Sequence, residues 1–291
     1  MSTATETTSK DDLIYSAIGR LTTLATLPEV TAKIIQTVED PRSSANQLHQ
    51  LVSHDPALVT RVLKVVNSSF YGLPGQIGSI ERAIVLLGLN AVKNIAVAAS
   101  LGQLFRGVKL CAGYSAKDLW RHCIAVAVSA RDLAERSGHE HADEAFLAGM
   151  IHDVGLLVSL QVWPEQLREV CEKIQKEGGA FIDLEDSIIG VDHQALGKAL
   201  AERWHFPRSC QMVAGYHHRP TSCDAAEKKL VGLIYVADTL CAQEGMGFTL
   251  TGVSQDPYEV PLEEFGILAS DVESTRAALP ELINRAASFL M

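Results

Sequence analysis

Apolar residues recur three and four positions apart along almost the whole chain, and this spacing restricts it to helices packed on helices. Leu13, Ile14, Ala17, Ile18 and Leu21 form one stripe, and Val30, Ile34, Ile35 and Val38 form the next. Asp55-Pro56 reads as a helix start, with Asp55 as cap and Pro56 in the first turn, where a missing N–H does no harm. That helix carries Leu58, Val62, Leu63 and Val66. After Ser79 the apolar run from Ile80 to Ala96 predicts one or two buried helices, broken near Gly88. A second helical set is expected over 116–137, 141–161, 163–177, 193–204, 207–218 and 224–244. A looser connector over 245–260 and a closing helix from Asp271 to Leu290 complete the pattern. No alternating run demands a sheet, so the expected fold class is all-α, a two-part helical bundle.

Charge and cysteine usage narrow the function classes. A net charge of -10 argues against a general binder of nucleic acid or of anionic membranes, both of which require a basic surface. No stretch suggests a spanning helix, and the start, MSTATETTSK, reads as a polar tail rather than a signal sequence. The six cysteines are scattered without a C-x-x-C pair, which fits reduced core thiols and a cytoplasmic setting. The expected divisions are a flexible tail over 1–10, a helical subdomain over 11–107, a second over 108–245, and a connector and helix over 246–291.

Polar residues stand where the pattern leaves them least room. In Ala148–Leu157, AGMIHDVGLL, an imidazole and a carboxylate interrupt a run of apolar and small residues. Burying a neutral polar group without a partner costs about 2–7 kcal/mol, and an ion far more. His122 lies in an apolar helix with Asp118 four residues before it on the same face. His193 follows Asp192 at a helix start, His217-His218 end CQMVAGYHH, and Asp238 interrupts LVGLIYVADTLCA. Two readings satisfy these groups: a hydrogen-bonded core network, or a metal site gathered at the centre of a bundle. Histidine and carboxylate ligands suit iron, manganese or zinc. In the first half, the loop Asn67–Gly75 is rich in turn formers and carries Phe70-Tyr71. It reads as a connector pinned by its rings or as an exposed anchor for a partner.

The order His122, His152-Asp153, Asp238 resembles the H…HD…D pattern of the HD superfamily of metal-dependent phosphohydrolases. With His193 and His217-His218 it is similar to the set of the HD-GYP cyclic-di-GMP phosphodiesterases, which hold two or three metals. LPEV at 27–30, HDPALVTRVLKVVNSSFYG at 54–72 and IGSIERAIVLLGLNAVKNIAV at 77–97 resemble the HDOD family, HD-related output domains of bacterial signalling proteins. The resemblance covers about 20–245 and implies an HD-like second half. It also implies His122, His152, Asp153 and Asp238 as the core metal ligands, with Asp153 bridging two ions. His193 and His217 would serve the second ion, with His218 nearby. Asp118 and Arg219 are further candidates, as an acidic ligand and a compensating charge.

The departures bear on activity. Many active relatives read HD-x-G-K, and the lysine position here is Leu156; no GYP follows His218, where the chain continues Arg219-Pro220-Thr221. The loss removes a cation that would stabilise charge in phosphoryl transfer. HDOD proteins are regarded as regulatory modules. The expected role is therefore signal transduction by contact with signalling proteins in trans, since no receiver, kinase, diguanylate-cyclase or DNA-binding segment is recognised. The alternative is a metal-dependent phosphohydrolase acting on a nucleotide or cyclic dinucleotide.

Overall fold

A computed structural model describes residues 9–21, 29–39, 42–105, 109–140, 142–224 and 226–290. The first helices are α1 (Lys10–Arg20), α2 (Glu29–Glu39), α3 (Ala45–Ser53), α4 (Pro56–Val66), α5 (Ile80–Leu87) and α6 (Leu89–Leu101). A small antiparallel hairpin, β1 (Lys109–Cys111) and β2 (Tyr114–Ser115), precedes α7 (Ala116–Arg136). Then come α8 (Ala142–Ile151), α9 (Gly155–Val162), α10 (Pro164–Glu177), α11 (Phe181–Ile188), α12 (His193–Arg203) and α13 (Arg208–Tyr216). The chain ends with α14 (Lys228–Gln243), α15 (Leu262–Phe265), α16 (Ala269–Arg285) and a 3-10 turn over Ala286–Leu290. The all-α class holds, with the hairpin as the only sheet among the described residues.

Local chemistry sets the helix ends. Asp55 accepts from the Ala57 and Leu58 N–H groups, satisfying donors that a helix start leaves unpaired. Ser79 caps α5 through the Arg82 N–H, and Gly88 at φ 87° turns the chain from α5 into α6, where the apolar run was expected to break. Helix α6 is almost entirely buried and forms the core of the first lobe, against α2, α4 and α5.

Several boundaries differ from the sequence reading. Residues 1–8, 22–28, 106–108 and part of the LPEV motif lie outside the described residues. Ser9 caps α1, so the expected tail is already helical at Lys10. Helix α1 packs on α9 and α12 of the second half, and Lys10 lies 2.7 Å from Asp186. The expected 11–107 subdomain therefore lacks its first helix. The helix expected over 141–161 is two, α8 and α9, separated by a turn at His152–Val154. Ala142–Val162 is long and apolar enough to cross a bilayer by composition, contrary to the expectation that no such stretch exists, but 94% of its apolar window is buried inside the protein. Helix α11 has no counterpart in the sequence reading.

The aromatic loop also has a different role from an exposed anchor. The Phe70 ring lies 6.0 Å from Phe146 and 5.7 Å from Phe289, and Tyr71 stands edge-on to it at 4.9 Å. The Arg131 guanidinium covers both rings at 5.5 and 5.6 Å. Arg285 donates to the Ser69 and Phe70 carbonyls, and Trp120 donates to the Phe289 carbonyl. The loop, α7, α8 and the C-terminal turn thus share one aromatic seam between the lobes. Phe70→Ala should lower unfolding free energy by about 3–5 kcal/mol in urea titrations followed by circular dichroism. A loss below about 1 kcal/mol would show that the seam does not hold the lobes.

Candidate metal centre

Five histidines and two carboxylates from both sides of the second lobe meet in its core. The side chains of His122, His152, Asp153, His193, His217, His218 and Asp238 are all fully buried. They form two groups of donor atoms that share Asp153: Asp153, His193, His217 and His218, and His122, His152 and Asp153. Within each group the donor atoms lie within 4.8 Å of one another. Asp238 joins the second group, its Oδ1 2.8 Å from His122 Nε2 and 3.8 Å from His152 Nε2.

The ring nitrogens facing inward are fixed by partners on the other side. A carbonyl oxygen only accepts, so an Nδ1 bonded to one carries a proton, and in the neutral ring Nε2 then keeps a lone pair. His152 Nδ1 donates to the Gly149 carbonyl at 2.7 Å, His217 Nδ1 to Val213 at 3.0 Å, and His122 Nδ1 to Met246 at 3.0 Å. His193 Nδ1 meets Glu185 Oε2 at 2.5 Å, and the same oxygen accepts the His193 backbone N–H at 2.9 Å. Glu185, fully buried on the unanticipated α11, is a site residue that the sequence reading did not include. Residue order gave no signal for it: it is one of three acids in the stretch FIDLEDSI, with nothing to separate it from Asp183 and Asp186.

The cluster leaves polar atoms without hydrogen bonds: both Asp153 oxygens, Asp238 Oδ2 and His152 Nε2. Asp153 Oδ1 lies 3.3 Å from His193 Nε2 and 3.4 Å from His217 Nε2. A lone pair facing a carboxylate is repulsive unless a proton or a cation lies between them. Burial alone pushes Asp153 up, but the charge of His152 and the rings of His193 and His217 outweigh it and hold the carboxylate well below its usual range. Burial, reinforced by neighbouring imidazoles, holds His218 well below the usual histidine range. An ionised Asp153 and a neutral His218 are in the protonation states that metal ligation requires. Burial pushes His152 and His193 down, but the facing carboxylates outweigh it and hold His152 above and His193 well above the usual histidine range. An ion there would displace their protons. The donor set fits one or two divalent ions.

Glycines let the backbones come this close. A Cβ on Gly155 would stand 1.9 Å from the His193 carbonyl oxygen, so α9 and α12 touch backbone to backbone beside Asp153. Gly247, at φ 79°, crosses α7, and a Cβ there would lie 2.5 Å from the Asp118 carbonyl. The 245–260 segment expected as a loose connector is a strap over the cluster: Met246 anchors His122, and Gly252 packs on Asp238.

Two candidates lie elsewhere. The Asp118 carboxylate accepts from the Ser115 N–H and hydroxyl, closing the first turn of α7, so it is not among the gathered donors. Arg219, 41% exposed, pairs with Asp192 at 3.2 Å, which ties its charge to the acidic start of α12.

Because both donor groups share Asp153, Asp153→Ala should abolish metal content by elemental analysis of tag-free protein, whereas His218→Ala should remove no more than one ion. Stripping the metal should lower the melting temperature, since an ion at a hundred times its Kd adds about 2.7 kcal/mol to the native state. Metal-free wild type after reconstitution would exclude the site. Gly155→Ala should cost at least about 1–3 kcal/mol and reduce metal content together with stability, because α9 must move off α12.

Residues 24–220 match the family model described as HDOD domain, which leaves α14 and the strap beyond the match. An uncharacterized protein of Treponema pallidum (strain Nichols) is 27% identical over 233 residues, 79% of this chain. The aligned part is 44% of that relative, so the chain spans less than half its length. An HDOD domain protein of unknown function from Geobacter sulfurreducens superposes with TM-score 0.76 at 25% identity, covering 94% of this chain and 98% of that one. A candidate signal transduction protein from Marinobacter aquaeolei VT8 gives 0.75 at 26% identity, covering 96% and 64%. A candidate phosphohydrolase from Shewanella amazonensis SB2B gives 0.74 at 22% identity over 96% and 97%, a likeness of fold alone. With the helical architecture and most of its length matched, this chain belongs to the HDOD domain family.

Proposed function

We propose that this chain is a signalling module that works by contact with other signalling proteins, and that its cluster holds one or two divalent ions, of iron, manganese or zinc, as internal fasteners. The observation that carries this reading is enclosure. Every candidate ligand side chain is fully buried, and the strap lies across them. A metal hydrolase must bring a phosphate oxygen to its ion and hold a water beside it. Among the described residues, an approaching phosphodiester meets packed protein. Leu156 is also fully buried, so the position where active relatives carry lysine is part of the apolar core. Bound ions would neutralise the carboxylates and tie α7, α12, α13 and α14 at one point.

The second reading, a phosphohydrolase acting on a nucleotide or cyclic dinucleotide, is favoured by the two unbonded oxygens of Asp153, which suit a bridge between ions. Metal-loaded protein incubated with cyclic di-GMP and with bis-p-nitrophenyl phosphate separates the two. No turnover above the metal-free control is expected. Turnover that disappears in Asp153→Ala would establish the hydrolase reading.

For the contact surface, α5 carries Val85 and Leu86 exposed at 73% and 37% on the first lobe. Exposed apolar side chains on a rigid helix make effective anchors for a protein partner. Val85→Asp should weaken capture of a signalling partner while leaving metal content unchanged. If capture survives Val85→Asp and is lost in Asp153→Ala with the fold intact by circular dichroism, the cluster rather than the first lobe is the output surface.

A further inference from the structure

The strap contributes a side chain that reaches the cluster from outside the histidine and aspartate pattern. Gln255 Nε2 lies 2.7 Å from His218 Nδ1, and its Oε1 lies 3.3 Å from the Thr239 hydroxyl. Its backbone is pinned on both sides: its N–H donates to the Gly252 carbonyl, and its carbonyl accepts from Gln243 Nε2, each at 3.0 Å. His218 differs from the other four histidines in this respect. Their outer nitrogens face groups that only accept, a carbonyl or a carboxylate, which fixes the proton outside. His218 faces an amide, which can accept or donate according to how it is turned.

The two amide orientations give His218 two different inner nitrogens. With the amide NH2 toward the ring, as it stands in this structure, Nδ1 accepts and the proton sits on Nε2, 3.1 Å from His193 Nε2. That hydrogen bond satisfies the pair without an ion. With the amide oxygen toward the ring, Nδ1–H donates and Nε2 turns a lone pair inward. Thr239 accommodates the second orientation. Its single hydroxyl proton is taken by the Tyr235 carbonyl at 2.8 Å, so its oxygen is free to accept from the amide NH2.

We propose that Gln255 is the positioning residue of the second ion site: by turning its amide oxygen to His218 Nδ1, it presents His218 Nε2 as a ligand beside Asp153, His193 and His217. The assignment rests on the metal reading above and adds to it a residue from the strap. It makes occupancy of the second site depend on the strap being seated. The first ion, at His122, His152, Asp153 and Asp238, does not use this contact.

Stripped, tag-free full-length protein titrated with Co2+ tests this, followed by elemental analysis and by visible absorption, which reports the ligand field of each site. Wild type is expected to take up two ions. Gln255→Leu, close in volume but unable to accept, should retain the first and bind the second at least about tenfold more weakly, the usual scale for loss of an outer partner of a ligating histidine. Gln255→Glu, whose carboxylate also accepts from Nδ1–H, should restore the second ion and its absorption bands. A second ion held by Gln255→Leu as tightly as by wild type overturns the assignment and leaves the metal reading standing. So do failure of Gln255→Glu to rescue, equal weakening of both ions, and a wild type that takes up a single ion. A wild type that binds no ion overturns the metal reading and this assignment with it.

Discussion

A carboxylate with no hydrogen bond on either oxygen, fully enclosed in protein, is the constraint around which the second lobe is organised. Taking an ion of this size out of water carries an effective penalty of several kcal/mol, and only opposite charge or close donors can offset it. Asp153 meets that demand with ring nitrogens from α12 and from the ends of α8 and α13. Its position depends in turn on Gly155, because any side chain there would drive α9 away from the His193 carbonyl.

The placement of the histidines follows from how helices end. The last four carbonyls of an α-helix have no partner within the helix. Helix α8 stops at Ile151, and its last-turn carbonyl at Gly149 takes the Nδ1–H of His152. Helix α13 stops at Tyr216, and the Val213 carbonyl, which also accepts the His217 backbone N–H, takes the Nδ1–H of His217 on its second lone pair. A histidine just past a helix terminus is thereby oriented by backbone, and its other nitrogen is aimed at the centre. A continuous helix through 141–161 would have kept the Gly149 carbonyl for its own ladder. The break at His152–Val154 is part of the site.

The same helix that ends just before His152 carries Phe146 into the aromatic seam with Phe70 and Phe289. Helix α8 therefore touches both the joint between the lobes and the buried cluster. The C-terminal residues serve both regions as well: the strap over 245–260 closes the cluster, and α16 with its final turn packs on α7 and grips the Asn67–Gly75 loop through Arg285. Such an arrangement suits a module whose internal site sustains a shape that its outer surface presents.

The helical class, the break at Gly88, the Asp55 cap and the identity of the gathered histidines and aspartates were legible from residue order, because each is a matter of period or of a polar residue in an apolar helix. What residue order left open was decided by contacts between distant segments. Asp118 shares a helix face with His122, yet its carboxylate closes the turn at Ser115, since a cap three residues away is nearer than any centre. Phe70 and Tyr71 read as a staple, with an anchor as the alternative, and the contacts of Phe146, Phe289 and Arg131 make them a staple. Glu185 and Gln255 carry no local mark at all, as an acid in an amphipathic helix and a polar residue in a connector are ordinary. Residue order names the groups that must be satisfied in the core; packing chooses their partners, because a buried imidazole bonds to whichever backbones and side chains are brought within 3 Å of it.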